Sequence, residues 1–271
     1  GDCGACTVVL GELKDSKIKY QCWDSCLVFL PMIHGKQLIT VENVGSSDNL
    51  HPVQKAMVDT DGSQCGYCTP GFIMALFELY KNSNNPDREE INDALTGNLC
   101  RCTGYRSIVE AAARSCVNGG MDQFTEKEPQ IAKLLSKINA NKETISIITE
   151  KQNYFRPQDL EDALKLRNQY PNAILVSGAT DVALRVTKNK EQLPEIIDLT
   201  SVDELKQMKE NGVSITFGSG VNLEEIKTIS KKRFPALYDM LAVFGSRQIR
   251  FWQLSVVTLP PHLQLVILLL Y

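Results

Sequence analysis

The chain has 271 residues, 43% of them hydrophobic, and a formal charge of −3. That length suggests two domains or three, and that charge offers no basic footprint for nucleic acid, so no nucleic-acid partner is expected. Nine cysteines in a chain far longer than a disulfide-dense mini-domain, with no signal peptide opening it, favour metal ligation in the cytoplasm over a disulfide framework.

In chain order, residues 1 to about 46 read as β. Thr7-Val8-Val9-Leu10 is a short strand that Gly11-Glu12 turns, Lys17 to Tyr20 alternates polar and apolar, and Leu38 to Val41 is a further strand. Residues 51 to 117 read as helical. Helices open at His51-Pro52, at Thr69-Pro70-Gly71-Phe72 and at Asn85-Pro86-Asp87, and a fourth, alanine-rich helix runs from Ile108 to Cys116. Residues 118 to about 150 are charged and poor in aromatics, a linker with one short helix around Ile131 to Leu135. From about 154 the pattern is α/β. A helix opens at Pro157 to Leu160, strands lie at Ala173 to Val176, Glu195 to Leu199 and Ser214 to Phe217, and a helix covers Leu223 to Ile229. The apolar run Leu263 to Tyr271 is too short for a bilayer, which needs about 20 residues, so no membrane partner is expected. The chain opens at Gly1 inside a cysteine motif and stops on Leu270-Tyr271 without a cap, and so reads as a fragment.

The cysteines carry the chemistry. Cys65-Gly66-Tyr67-Cys68 and Cys100-Arg101-Cys102 each sit at a turn beside a helix start, where backbone amides favour negative charge. Four thiolates on short turning segments suit a 2Fe-2S cluster, one cysteine pair per iron. Zinc is the alternative, but zinc ribbons favour two CxxC knuckles in β-turns, and here one pair is CxC among helices. Cys3-Gly4-Ala5-Cys6 matches the later part of the plant-type ferredoxin spacing, with Cys26 or Cys22 as the last ligand and the first lying before Gly1. Cys22 and Cys116 are expected as buried non-ligands. Ser177-Gly178-Ala179-Thr180-Asp181 follows a strand, and its small residues would let backbone amides approach a phosphate. His34, His51 and His262 are isolated, and no Ser/His/Asp constellation can be assembled.

Gly62 to Gly71 together with Gly97 to Tyr105 resembles the second iron–sulfur domain of the xanthine dehydrogenase/aldehyde oxidase family of molybdenum hydroxylases. Gly1 to Thr7 and Ser25-Cys26-Leu27 resemble parts of that family's first cluster site, and residues 154 to 250 resemble its FAD domain. The resemblance implies a multidomain α+β fold. It comprises the C-terminal part of a β-grasp ferredoxin-like domain over 1–46, a four-helix 2Fe-2S domain over 47–120, a linker over 121–153 and a truncated α/β FAD-binding domain of the PCMH type over 154–250. It implies Cys3, Cys6 and Cys26 as ligands of cluster I, and Cys65, Cys68, Cys100 and Cys102 as ligands of cluster II. For FAD it implies Leu175, Val176, Ser177, Gly178, Ala179, Thr180, Asp181, Val182 and Phe244, and it turns Gln64 toward a molybdopterin. The family's double-glycine loop appears here as Ser177-Gly178-Ala179.

The function implied is that of the electron-transfer subunit of a xanthine dehydrogenase-type oxidoreductase of purine catabolism. Electrons would pass from a molybdenum cofactor on a partner large subunit through two 2Fe-2S clusters to FAD and then to NAD, with no catalytic residue in this chain. Aldehyde, carbon monoxide or nicotinate hydroxylases are the alternatives within the family, and an inactive truncated product or a zinc-stabilised interaction module the alternatives outside it. Beyond Arg250 the family expects a second glycine-rich FAD loop, and the chain reads Phe251-Trp252-Gln253-Leu254-Ser255-Val256-Val257-Thr258 instead. Back-translation from the third nucleotide of the Phe251 codon gives leucine then alanine and later permits Val-Gly-Gly-Asn, so residues 251–271 are expected to be a frameshifted tail. Without that loop and without the first cysteine, the literal chain is expected to bind FAD poorly and to hold at most one complete cluster.

Overall fold

The computed structural model describes residues 1–117, 121–210 and 214–252; the tail from residue 253, with His262 and the run Leu263 to Tyr271, lies outside the described residues. The fold is mixed α/β, and the described residues fall in two compact units, Gly1–Ala140 with Gly245–Ile249, and Asn141–Phe244 with residues 250–252.

The first unit opens with β1 (Thr7–Lys14) and β2 (Lys17–Asp24), paired antiparallel from Thr7↔Asp24 to Lys14↔Lys17. The turn is not at Gly11-Glu12. It falls on Asp15 and Ser16, whose positive φ angles of 48° and 65° match the twist of a two-residue hairpin. Gly11 instead lies mid-strand, where a Cβ would come 2.7 Å from the Ile18 side chain; its glycine answers a close approach, which local sequence cannot distinguish from a turn. β3 (Gln37–Ile39) completes a sheet of order β2-β1-β3.

Four helices follow: α1 (Pro52–Asp59), α2 (Thr69–Asn82), α3 (Arg88–Leu95) and α4 (Arg106–Ser115). The starts of α1, α2 and α3 carry local signals. His51 and Gln54 form a capping box on α1, proline lies in the first turn of α1 and α2, and the Asp87 carboxylate accepts from the Glu90 amide to cap α3. α2 is buried from Gly71 through Tyr80, on all sides, as expected of a helix that is the core rather than its cover. Phe72, Phe77 and Leu79 of α2 share one apolar cluster with Val9 and Ile39 of the sheet and Ile108 and Ala112 of α4.

The linker expectation is corrected in two places. Gln123–Asn139 is a 17-residue helix, α5, capped by Asp122 and built into the first unit, with Phe124 and Leu135 buried. Glu128 of α5 accepts from the Ile18 amide at 3.0 Å, and Phe124 meets Phe77 edge-on with ring centroids 4.8 Å apart. The charged residues that suggested a linker lie on the outer face of a helix whose few apolar residues suffice to dock it. Ile145–Ile148 is a strand, β4, and it begins the second unit.

In the second unit β4 pairs antiparallel with β5 (Asn153–Arg156), and β5 and β6 (Ile174–Val176) each pair parallel with β7 (Glu195–Asp198), in the order β4-β5-β7-β6. α6 (Leu160–Gln169), capped by Asp159, lies between β5 and β6 in the chain, and α7 (Val182–Thr187) follows β6. A separate hairpin of β8 (Met208–Glu210) and β9 (Ile215–Phe217) precedes α8 (Leu223–Arg233) and α9 (Pro235–Val243). Among the described residues no helix is long and apolar enough to cross a membrane.

Candidate metal centre and flavin loop

Two turns of the first unit carry the tight cysteine pairs. In one, Gly66 takes φ +85°, the Thr69 amide donates to the Gly66 carbonyl at 3.2 Å, and Cys68 is the N-cap of α2. In the other, Gly104 and Tyr105 take φ +64° and +68°, and Tyr105 is the N-cap of α4. A side chain folds this second turn: the Tyr105 hydroxyl accepts from the Cys100 amide at 3.0 Å, and the Tyr105 amide donates to the Thr103 hydroxyl at 3.2 Å. The Tyr105 ring also meets Phe72 of α2 edge-on, at 6.3 Å between centroids.

The turns bring their thiols together across the pairs. Cys68 is hydrogen-bonded to Cys100, and Cys102 to Cys65. The two turns meet each other, so each thiol finds a neighbour on the opposite turn. Among the described residues no three His, Cys, Asp or Glu side chains are grouped around a single ion position. A Cβ placed at Gly66 or Gly104 would meet nothing within 4 Å, so both turns border open space.

The electrostatics suit anionic sulfur. Desolvation pushes the Cys100 thiol up, but hydrogen bonds from the Thr103 hydroxyl, from the amides of Thr103 and Cys102 and from the Cys68 thiol outweigh it and bring it down to about 7. The Thr103 hydroxyl donates to Cys100 Sγ at 3.2 Å. Desolvation and the neighbouring Cys100 push Cys68 up to about 11, as expected when one thiol of a pair ionises and the other donates to it. Thr103 and Tyr105 had no assigned role in the sequence reading; their signal is the Thr-Gly-Tyr directly after the CxC. Gln64 is exposed on the approach to the first turn.

Of the earlier cysteines, the structure joins Cys6 with Cys26: their thiols are hydrogen-bonded, and the Ser25 amide and hydroxyl both donate to the Cys6 carbonyl, at 3.3 and 2.8 Å. Burial, then Cys26 and Asp24, hold the Cys6 thiol up at about 11. Cys3 is exposed on the same loop, and its carbonyl accepts from the Leu99 amide at 2.9 Å. Cys22 and Cys116 are buried; Cys22 donates to the Met74 carbonyl at 3.6 Å and Cys116 lies 3.8 Å from the Ser115 hydroxyl. His51 is likewise a core residue, and His34 is exposed.

In the second unit β6 runs into Ser177-Gly178-Ala179-Thr180-Asp181 at the carboxyl end of a parallel strand, where α/β sheets bind ligands. Gly178 and Ala179 take φ +94° and +65°, Ala179 and Thr180 are buried, and Asp181 is exposed. Ala179 thus adopts the left-handed conformation that a second glycine would adopt freely. Replacing Ala179 by glycine is expected to stabilise the second unit by about 1 kcal/mol, read as a higher urea midpoint at unchanged slope. Leu175 is half exposed, Val176 buried and Val182 half-buried at the start of α7. Phe244 is placed in a separate apolar cluster with Ile215, Phe217, Val221 and Leu241.

Residues 40–113 match the 2Fe-2S binding domain family, and residues 149–252 match the FAD binding domain in molybdopterin dehydrogenase. Xanthine dehydrogenase of Drosophila pseudoobscura pseudoobscura is 33% identical over 92% of this chain and 22% of its own length. Aldehyde oxidase 3 of Rattus norvegicus is 32% identical over 92% of this chain and 23% of its own. The solved aldehyde oxidoreductase from Desulfovibrio gigas is 39% identical over 43% of this chain and 12% of that one, with a TM-score of 0.37. The chain therefore spans about a fifth of the length of the curated relatives it matches. Two cofactor-binding domains in one order, both matched, and two relatives aligned along nearly all of the sequence show that the chain belongs to the xanthine dehydrogenase/aldehyde oxidase family of molybdenum hydroxylases and carries its iron–sulfur and FAD regions.

Proposed function

We propose that the chain is the electron-transfer part of a xanthine dehydrogenase-type enzyme, taking electrons from a molybdenum cofactor on a partner subunit and passing them through two 2Fe-2S clusters to FAD and on to NAD. The observation that carries this reading is the convergence of Cys65, Cys68, Cys100 and Cys102 as two thiol pairs across facing turns. Two irons bridged by sulfide need two thiolates each, which is this donor set. In this reading Cys3, Cys6 and Cys26 belong to a second cluster, Gln64 faces the molybdopterin, and the Ser177–Asp181 loop with Phe244 holds FAD.

Such clusters, when bound, supply one-electron transfer between fixed sites. The chain's own residues do the rest. Thr103 and the amides of Cys102 and Thr103 donate to Cys100 and stabilise negative charge on its sulfur, the kind of outer-shell contact that tunes a metal–thiolate centre. Tyr105 holds the turn that presents both Cys100 and Cys102. Thr180 is buried beside the left-handed Gly178-Ala179 pair, in the loop that this reading offers to a pyrophosphate.

The test is iron, acid-labile sulfide and flavin analysis of the anaerobically purified protein, with low-temperature EPR after dithionite reduction. Red-brown protein with iron and sulfide in equal amounts and a rhombic 2Fe-2S signal is the expected result. Colourless protein carrying zinc would overturn the reading.

A further inference from the structure

The loop bearing Cys3 and Cys6 and the loop bearing Cys100 and Cys102 are welded together around one side chain. Asn98 is 2% exposed. Its Nδ2 donates to the Gly4 carbonyl at 3.0 Å and to the Thr7 hydroxyl at 3.2 Å, and its Oδ1 accepts from Gln248 Nε2 at 2.9 Å. The Thr7 hydroxyl in turn donates to the Gly4 carbonyl at 2.6 Å. Around this amide the backbones touch. A Cβ on Gly71 would lie 2.1 Å from the Gly4 carbonyl oxygen, one on Gly4 would lie 2.3 Å from the Gly97 carbonyl oxygen, and one on Gly97 would lie 2.1 Å from Gln248 Oε1. Directly beside the clamp the Leu99 amide donates to the Cys3 carbonyl at 2.9 Å. Leu99 is covalently bonded to Cys100, so a single hydrogen bond links the backbone of one thiol set to that of the other.

We infer that Asn98 is a positioning residue that locks the Cys3–Cys6 loop onto the Cys100–Cys102 loop, so that electron transfer between the two thiol sets crosses the Leu99 N–H to Cys3 C=O hydrogen bond. The inference rests on the functional reading above. The step moves one electron and no proton. The centre on the Cys100 side is oxidised and the centre on the Cys3 side reduced, no bond of the chain is made or broken, and the partner's molybdenum centre and FAD serve as source and sink. Asparagine suits the place because one short carboxamide supplies two donors to the Gly4–Thr7 loop and an acceptor to Gln248 at once. Alanine would remove all three bonds and leave the buried Gln248 amide without its acceptor, while the Gly4 carbonyl keeps the Thr7 amide and hydroxyl.

The experiment uses the full-length protein with its molybdenum partner, reduced by dithionite. Low-temperature EPR reads the magnetic splitting between the two 2Fe-2S signals, and hydrogen exchange reads the Leu99 amide. The unsubstituted protein is expected to show both signals with mutual splitting and a protected Leu99 amide. Asn98→Ala is expected to keep the iron and both signals, lose the splitting, and exchange Leu99 about tenfold faster, the loss of one hydrogen bond's stabilisation. Unchanged splitting and unchanged exchange in Asn98→Ala overturn the inference. Should that variant fail to assemble both centres, Gln248→Ala decides: it removes only the bond to Oδ1, and faster Leu99 exchange supports the clamp while unchanged exchange overturns it. Absence of two signals in the unsubstituted protein is a different failure, that of the functional reading, and the inference falls with it.

Discussion

Asp122→Ala is expected to destabilise the first unit by about 3–5 kcal/mol, the cost of removing one partner from a buried ion pair. The carboxylate accepts from Lys81 Nζ at 2.8 Å, from His51 Nε2 at 3.2 Å, and from the amide and hydroxyl of Thr125 at 2.7 and 2.8 Å. The side chains of Asp122 and Lys81 are only 3% and 7% exposed. Since His51 Nδ1 accepts from the Val53 amide, Nε2 is the nitrogen that donates to Asp122. One carboxylate therefore joins the N-cap of α1, the last turn of α2 and the N-cap of α5. Removing it strands an ammonium whose remaining contacts are the Thr125 hydroxyl at 2.6 Å and the Tyr20 ring, 5.3 Å from its centroid. Asp122→Asn keeps the shape and the cap and is expected to lose less. Desolvation works against the charged carboxylate, but its donors hold it well below the usual carboxylate range. A depressed folded-state value means that the pair stabilises the fold above the unfolded carboxylate's pKa of about 4 and that this contribution drains away as pH falls below it. Urea titrations at pH 7 and at about pH 3 check both statements. The gap between Asp122 and the alanine variant should be wide at the first pH and narrowed at the second; an equal gap at both would contradict the assignment.

Cys100→Ser is expected to abolish one 2Fe-2S centre, with a loss of about two irons per chain and of one EPR signal. Cys100 is chosen because its thiol is brought down, to about 7, by donors that include Thr103 and Cys102, so it is a ready thiolate. Serine keeps the size but offers a poorer ligand to iron. Because a bound centre stabilises the folded state over the unfolded one, the loss should also lower the unfolding midpoint of the first unit. Cys116→Ser is the control. Cys116 is buried, burial holds its thiol up at about 11, and it sits beside Ser115 rather than another cysteine. Its substitution should leave the iron content unchanged, and equal iron loss in both variants would show that the effect comes from misfolding and not from ligation.

Much of this protein is local and was therefore legible residue by residue. The starts of α1, α2 and α3 follow from His51-Pro52, Thr69-Pro70 and Asp87, because capping groups and proline act on backbone amides within a turn of themselves. The tight cysteine pairs are also local, since CxxC and CxC need only a turn to present their thiols. What depended on segments far apart in the chain was decided by packing. Which thiol meets which is set by two turns facing each other, so Cys68 joins Cys100 and Cys65 joins Cys102. Gly11 is a close-approach glycine and not a turn, because Ile18 lies across the hairpin from it. The charged stretch after residue 120 becomes a docked helix because Phe124 finds Phe77 and Asp122 finds Lys81 and His51. Asn98 gives no sign of its role in sequence, since all three of its partners, Gly4, Thr7 and Gln248, lie more than 90 positions away. Backbone preferences are written in neighbouring residues, whereas buried polar satisfaction and contact between backbones exist only once the chain has folded.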